Sequence, residues 1–229
     1  MKSLLSIDTN AKTIKGQKRG YLTGILYLAP GKLSGLINVC PNASVACDNL
    51  CLYYAGRGAF NSVQKARIAK TAHYVKDRET FLATLKENVT SVIRKAKAKK
   101  MTPVIRLNGT SDIGWERYTV IQAFKTTRFY DYTKSFQRMV SFLDGKLPSN
   151  YSLTFSRSET NETQCLEVLK RGGNVAVVFR SKVLPTHWNG FKVINGDEND
   201  LRFLDPKGVV VGLTAKGKAK SDTSGFVVG

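Results

Sequence analysis

Histidine is almost missing from this chain of 229 residues: His73 and His187 are the only two, and neither stands in a ligand-spaced pair. Zinc sites built on paired histidines, or on cysteine with histidine, therefore lack their usual ligands. Acidic residues are also scarce, 17 Asp and Glu against 36 Lys and Arg, which gives a formal net charge of +19. No stretch approaches the roughly 20 apolar residues a membrane-spanning helix needs. The apolar run at Leu4 and Leu5 is too short for a secretory leader. A cytoplasmic protein is expected, where thiols stay reduced and grouped cysteines more often bind metal than pair as disulfides.

Apolar content is ordinary at 42%, and periodic segments run along the chain, so disorder is not expected. One α/β domain over residues 1–229 is the economical reading. A basic excess of this size suits nucleic acid or another polyanion. It equally suits a solvated surface tuned for solubility. Lys95, Lys97, Lys99 and Lys100 fall at the end of a predicted helix, where the macrodipole favours positive charge in any case.

Cysteine is rare, with four in all, yet three of them, Cys40, Cys47 and Cys51, fall in one loop over residues 36–58. If Asp48 to Leu52 is helical, Cys47 and Cys51 lie on one face. Cys40 precedes a Pro41-Asn42 turn that can fold it back on them. Inert buried cysteines are common, but turn residues around three of them are not typical of a core. An iron–sulfur cluster tolerates irregular spacing and an exchangeable ligand on one iron. It is the first reading, zinc the second and a structural cysteine cluster the third. Cys165, on an apolar helix face with Val168 and Leu169, reads as ordinary packing.

Along the chain, residues 1–20 read as a mobile or edge segment and Tyr21 to Leu28 as a strand. Asn61 is placed to cap a helix. A stronger helix starts near Asp77, with Phe81, Leu82, Leu85, Val89, Val92 and Ile93 at three- and four-residue steps. Predicted strands then alternate with helices: strands at 104–107, 128–130, 151–155, 174–179, 191–194 and 209–213. Helices are predicted at 118–124, around Phe136 to Leu143, and around Cys165 to Leu169, stopped at Gly172-Gly173. This alternation predicts a parallel sheet with right-handed crossovers. A complete or partial (β/α) barrel fits best, and a doubly wound open sheet is the alternative. Polar residues recur at the predicted strand ends: Asn108, Asp112, Asp131, Ser156, Arg157, Arg180, Asp197 and Lys216. The cysteine loop falls on that same side.

The pattern Cys40-Pro41, Cys47, Cys51-Leu52-Tyr53 with Ala55 resembles the phage family called gene product eighty-eight. Further matches run through Arg106 to Gly109, Tyr130 to Lys134, Leu153 to Ser156, Gly173 to Phe179, Asp197 to Asp205 and Val211 to Gly217. This resemblance implies a phage origin, and hence the host cytoplasm, but no defined reaction. A looser resemblance is to radical S-adenosylmethionine enzymes, which carry three cysteines in the loop after the first barrel strand. The order of parts matches, although the cysteines stand farther apart here. What it implies is a [4Fe–4S] cluster on Cys40, Cys47 and Cys51, with Asn108, Asp112, Ser156 and Arg180 lining a mouth for S-adenosylmethionine. The alternative is a non-enzymatic iron–sulfur or zinc protein that binds nucleic acid or a protein partner.

Overall fold

The computed structural model describes residues 3–7 and 11–229. Among the described residues, nine strands form the sheet: β1 Leu5–Ser6, β2 Tyr21–Leu26, β3 Thr102–Arg106, β4 Arg128–Thr133, β5 Tyr151–Ser156, β6 Val175–Phe179, β7 His187–Trp188, β8 Phe191–Asn195 and β9 Val210–Thr214. The described α-helices that accompany them are α1 Ala11–Gln17, α2 Val45–Asn49, α3 Asn61–Lys76, α4 Arg78–Ala98, α5 Thr119–Gln122, α6 Phe136–Leu143 and α7 Glu162–Lys170. The strand order is β1-β2-β3-β4-β5-β6-β9-β8-β7. All neighbours from β2 to β8 pair in parallel, and β1 and β7 are antiparallel edges. The fold is thus mixed α/β around a mostly parallel sheet. From β2 to β6 the order runs one way, without the reversal that defines a doubly wound sheet.

Each face of the sheet follows from strand alternation. Ile105, Phe129, Leu153, Phe155, Val175 and Val177 point to one side and pack with helix residues Phe81, Leu85, Val89, Val92, Met139, Cys165 and Val168. The other side carries Arg106, Tyr130 and Tyr132 beside the segment at Asp200 and Leu201. There the Arg106 guanidinium donates to Asp200 at 2.7 Å and the Tyr130 hydroxyl donates to it at 3.3 Å. Val104, Tyr130 and Leu201 form a smaller core on that face.

Most predicted elements occur close to their expected positions. Residues 1–20 hold the edge strand β1 and the helix α1, while residues 1, 2 and 8–10 lie outside the described residues. Asn61 is the first residue of α3, and the capping position belongs to Phe60, which makes no side-chain cap. Asp77 does cap α4, accepting from the Thr80 N–H at 3.1 Å. Helix α4 ends without glycine: Lys100 adopts φ +54° while the Met101 N–H donates to the Ala96 carbonyl at 2.9 Å. The lysines there precede β3, at the opposite end of the sheet from the cysteine loop.

Candidate metal centre

The loop after β2 is stitched to the loop after β3. The Gly109 N–H donates to the Leu26 carbonyl at 3.0 Å, the Thr110 hydroxyl to the Leu28 carbonyl at 2.6 Å, and the Asp112 N–H to the Val39 carbonyl at 2.8 Å. Gly109 is required by this approach, because a Cβ there would stand 2.7 Å from the Leu26 carbonyl oxygen. Gly31, at φ +54°, turns the chain, and its carbonyl accepts from the Val39 N–H at 3.1 Å. Cys40 follows directly, with its thiol facing the Thr110 carbonyl at 3.8 Å.

The other two cysteines are set by separate local structures. Ser44 caps α2, its hydroxyl oxygen accepting from the Cys47 N–H at 3.2 Å. Glu159, in the loop between β5 and α7, completes this cap by accepting from the Ala46 N–H at 3.1 Å and the Ser44 hydroxyl at 2.7 Å. Helix α2 stops at Asn49, so Cys47 and Cys51 do not share the expected helix. Cys51 instead opens the turn Leu52–Tyr54, its sulfur accepting from the Tyr53 N–H at 3.5 Å.

All three thiols are free and half-buried. Burial pushes the Cys40 thiol up to about 12, with a Gly31 N–H bond opposing and nearby Cys51 and Cys47 adding to the rise. Burial also raises Cys47, against the charge of Lys134, and raises Cys51, against the Tyr53 N–H bond. The three sulfurs are thus close enough to influence one another's ionisation. Among the described residues no group of three or more His, Cys, Asp or Glu is gathered around a single-ion position.

Of the four residues expected to line a cosubstrate mouth, Asn108, Asp112 and Arg180 have side chains engaged in bonds within the protein. The Asn108 side chain is buried, donating to the Ile113 carbonyl and accepting from Ser111, the Ile113 N–H and the Trp115 indole N–H. Asp112 accepts from Arg138 at 2.7 Å, Thr133 at 2.8 Å and the Lys134 N–H at 2.9 Å. Arg180 donates to the carbonyls of Gly229, Lys220 and Asp222. Ser156 ends β5, its carbonyl accepting from Asn161 at 3.0 Å. Cys165 is fully buried and packs in the core, as expected.

A cleft of about 450 Å³ borders the loop, lined by Asn38, Pro41, Asn42, Asp112, Arg117 and Arg138. Sequence reasoning missed Glu159 and Lys134 as parts of the site, because both arrive from distant strand ends. Only Ser44, three residues before Cys47, carried a readable capping signal.

A family model described as Gene product 88 matches residues 3–228. The chain belongs to the Gene product 88 family. Neither curated proteins nor solved structures give a match to it. The match spans every strand from β1 to β9. No helix among the described residues is long and apolar enough to cross a membrane.

Proposed function

We propose that Cys40, Cys47 and Cys51 hold a [4Fe–4S] cluster, making this member of the Gene product 88 family a phage iron–sulfur protein. The donor set carries the reading. Three free thiols from three local structures influence one another, with N–H donors at Cys40 and Cys51 and the Lys134 charge beside Cys47. Hydrogen bonds to sulfur and nearby positive charge are the means by which proteins stabilise thiolate-bound clusters. As free groups, thiols raised by burial are protonated and inert; ligation requires them to lose those protons.

A single zinc ion would draw its sulfurs to about 2.3 Å from itself. An iron–sulfur cluster is held by several separate cysteine thiolates, of which Cys40, Cys47 and Cys51 would supply three. Bound here on three protein thiolates, a cluster would supply one-electron transfer and room for an exchangeable ligand.

The finer reading is a partial (β/α) barrel of the radical S-adenosylmethionine type. It is supported by the one-way order from β2 to β6 and by the cysteine loop following the first parallel strand. The internal bonds of Asn108, Asp112 and Arg180 leave Ser156 and the cleft beside Pro41 and Asn42 as places for the cosubstrate. The alternative is a cluster protein that binds nucleic acid or a protein partner, favoured by the +19 charge.

Anaerobic purification with metal, sulfide and spectroscopic analysis tests this. The protein should be brown, with about four irons and four acid-labile sulfides per chain. Stoichiometric zinc without sulfide would sink the cluster. The reduced protein's electron paramagnetic resonance signal should change when S-adenosylmethionine is added. A loaded protein whose signal ignores it would leave the non-enzymatic alternative.

A further inference from the structure

Arg67, on α3, is 9% exposed. Its Nε and Nη1 are buried and meet no hydrogen-bond acceptor among the described residues. Among the described residues the groups that favour its charge are Tyr27, Tyr53 and Cys51, with no carboxylate, while the nearby Lys70 carries charge of the same sign. The guanidinium carbon lies 4.9 Å from the Tyr27 ring and 5.3 Å from the Tyr53 ring. Ring faces offset part of a desolvated positive charge, but a buried guanidinium ordinarily has an anion. Tyr53 also donates its N–H to the Cys51 sulfur. The unmatched cation is therefore fixed against the same turn that presents Cys51.

We propose that Arg67 is the anion-recognition group of a ligand site beside Cys51, taking the carboxylate or phosphate head group of a small molecule lying against the cysteine loop. This rests on the same loop as the cluster reading and names the class of ligand, yet it does not require the cluster. Tyr27 and Tyr53 hold the guanidinium in place, so its orientation is set before the ligand arrives. Arginine suits such a role because its planar donors match both carboxylate and phosphate.

The test uses the full chain, reduced and free of metal. Each cysteine is alkylated with anionic iodoacetate or neutral iodoacetamide, and the products are quantified by mass spectrometry. Because both reagents attack the same thiolate, their rate ratio at one cysteine cancels its thiolate fraction and reports the local field. That ratio at Cys51 should exceed the ratio at Cys40 by roughly three- to tenfold. Inorganic phosphate or acetate, compared with sodium chloride at equal ionic strength, should abolish the excess. Protection by phosphate alone assigns a phosphate ligand, and protection by acetate alone a carboxylate. Arg67→Gln should lose the preference and Arg67→Lys should retain part of it, while the competition needs no variant if either misfolds. Equal ratios at Cys51 and Cys40, unmoved by either anion, would overturn the proposal. Iron and sulfide analysis fails or succeeds independently of these outcomes.

Discussion

The Ser44 hydroxyl donates to the Glu159 carboxylate at 2.7 Å, fastening the helix that carries Cys47 to the loop after β5. Glu159→Ala should remove both this bond and the one from the Ala46 N–H. Iron per chain after anaerobic gel filtration should then fall below the wild-type value, and stability by about 1 kcal/mol, the usual cost of a lost cap. Glu159→Gln, which can still accept from Ala46, should be milder. Full iron retention in Glu159→Ala would mean the loop holds its own shape.

Replacing any of Cys40, Cys47 or Cys51 by alanine should remove most of the iron, measured anaerobically beside sulfide. Cys165→Ala should keep it, because that thiol is fully buried and faces Asn161 at 3.4 Å. Loss of iron in Cys165→Ala with an unchanged thermal midpoint would assign it as a ligand.

Asn108 is a test of scaffold against ligand. Its amide satisfies the buried Trp115 indole N–H and the Ile113 backbone. Asn108→Ala should cost about 3 kcal/mol, since each buried donor left unmatched costs about 1–3 kcal/mol. For a chain of this length that lowers the thermal midpoint by roughly 6–12 °C. A variant of wild-type stability would return Asn108 to the list of open binding groups.

Asp131 predicts a pH effect of unusual sign. Burial pushes its carboxyl up from 3.8 to about 7, against bonds from the Asn108 N–H and the Tyr151 hydroxyl. The folded state therefore holds this proton more tightly than the unfolded state. Its contribution to stability should fall as pH rises from 3.8 to about 7 and level off above that. Asp131→Asn should flatten this component, read as the wild-type minus variant difference in urea midpoint across the window. A difference that does not vary with pH would show that Asp131 is not its source.

Lys100 closes α4 in a left-handed conformation that costs a side-chain-bearing residue about 1 kcal/mol. Lys100→Gly should therefore raise the thermal midpoint by about 2–4 °C. A lowered midpoint would indicate that the lysine side chain itself contributes to the end of the helix.

The elements were legible where period and punctuation agreed. Phe81, Leu85, Val89 and Val92 marked α4, Gly172 at φ +80° stopped α7, and the run Val175 to Phe179 announced a buried strand. The strand at Leu5 was legible only as part of a mobile or edge segment and β7 not at all, because two residues carry no period. The cysteines stood out as a group, but their local geometry did not: the capping of α2 depends on Glu159, and the break at Leu50 separates Cys47 from Cys51. Asn108 and Arg180 looked like open polar groups because sequence does not reveal which polar ends a fold ties to its own backbone.

Glu159 reaches partners 113 and 115 positions earlier in the chain. During synthesis the three thiols emerge long before the residue that shapes their helix. Such a distant closure is slow relative to local turns. Until β5 and its following loop have left the ribosome, the cap of the helix that carries Cys47 is incomplete, and that thiol is open to oxidation or to stray metal. Cofactor delivery that waits for this closure would meet a finished socket; delivery to the growing chain would meet Cys47 on a helix without its Glu159 cap.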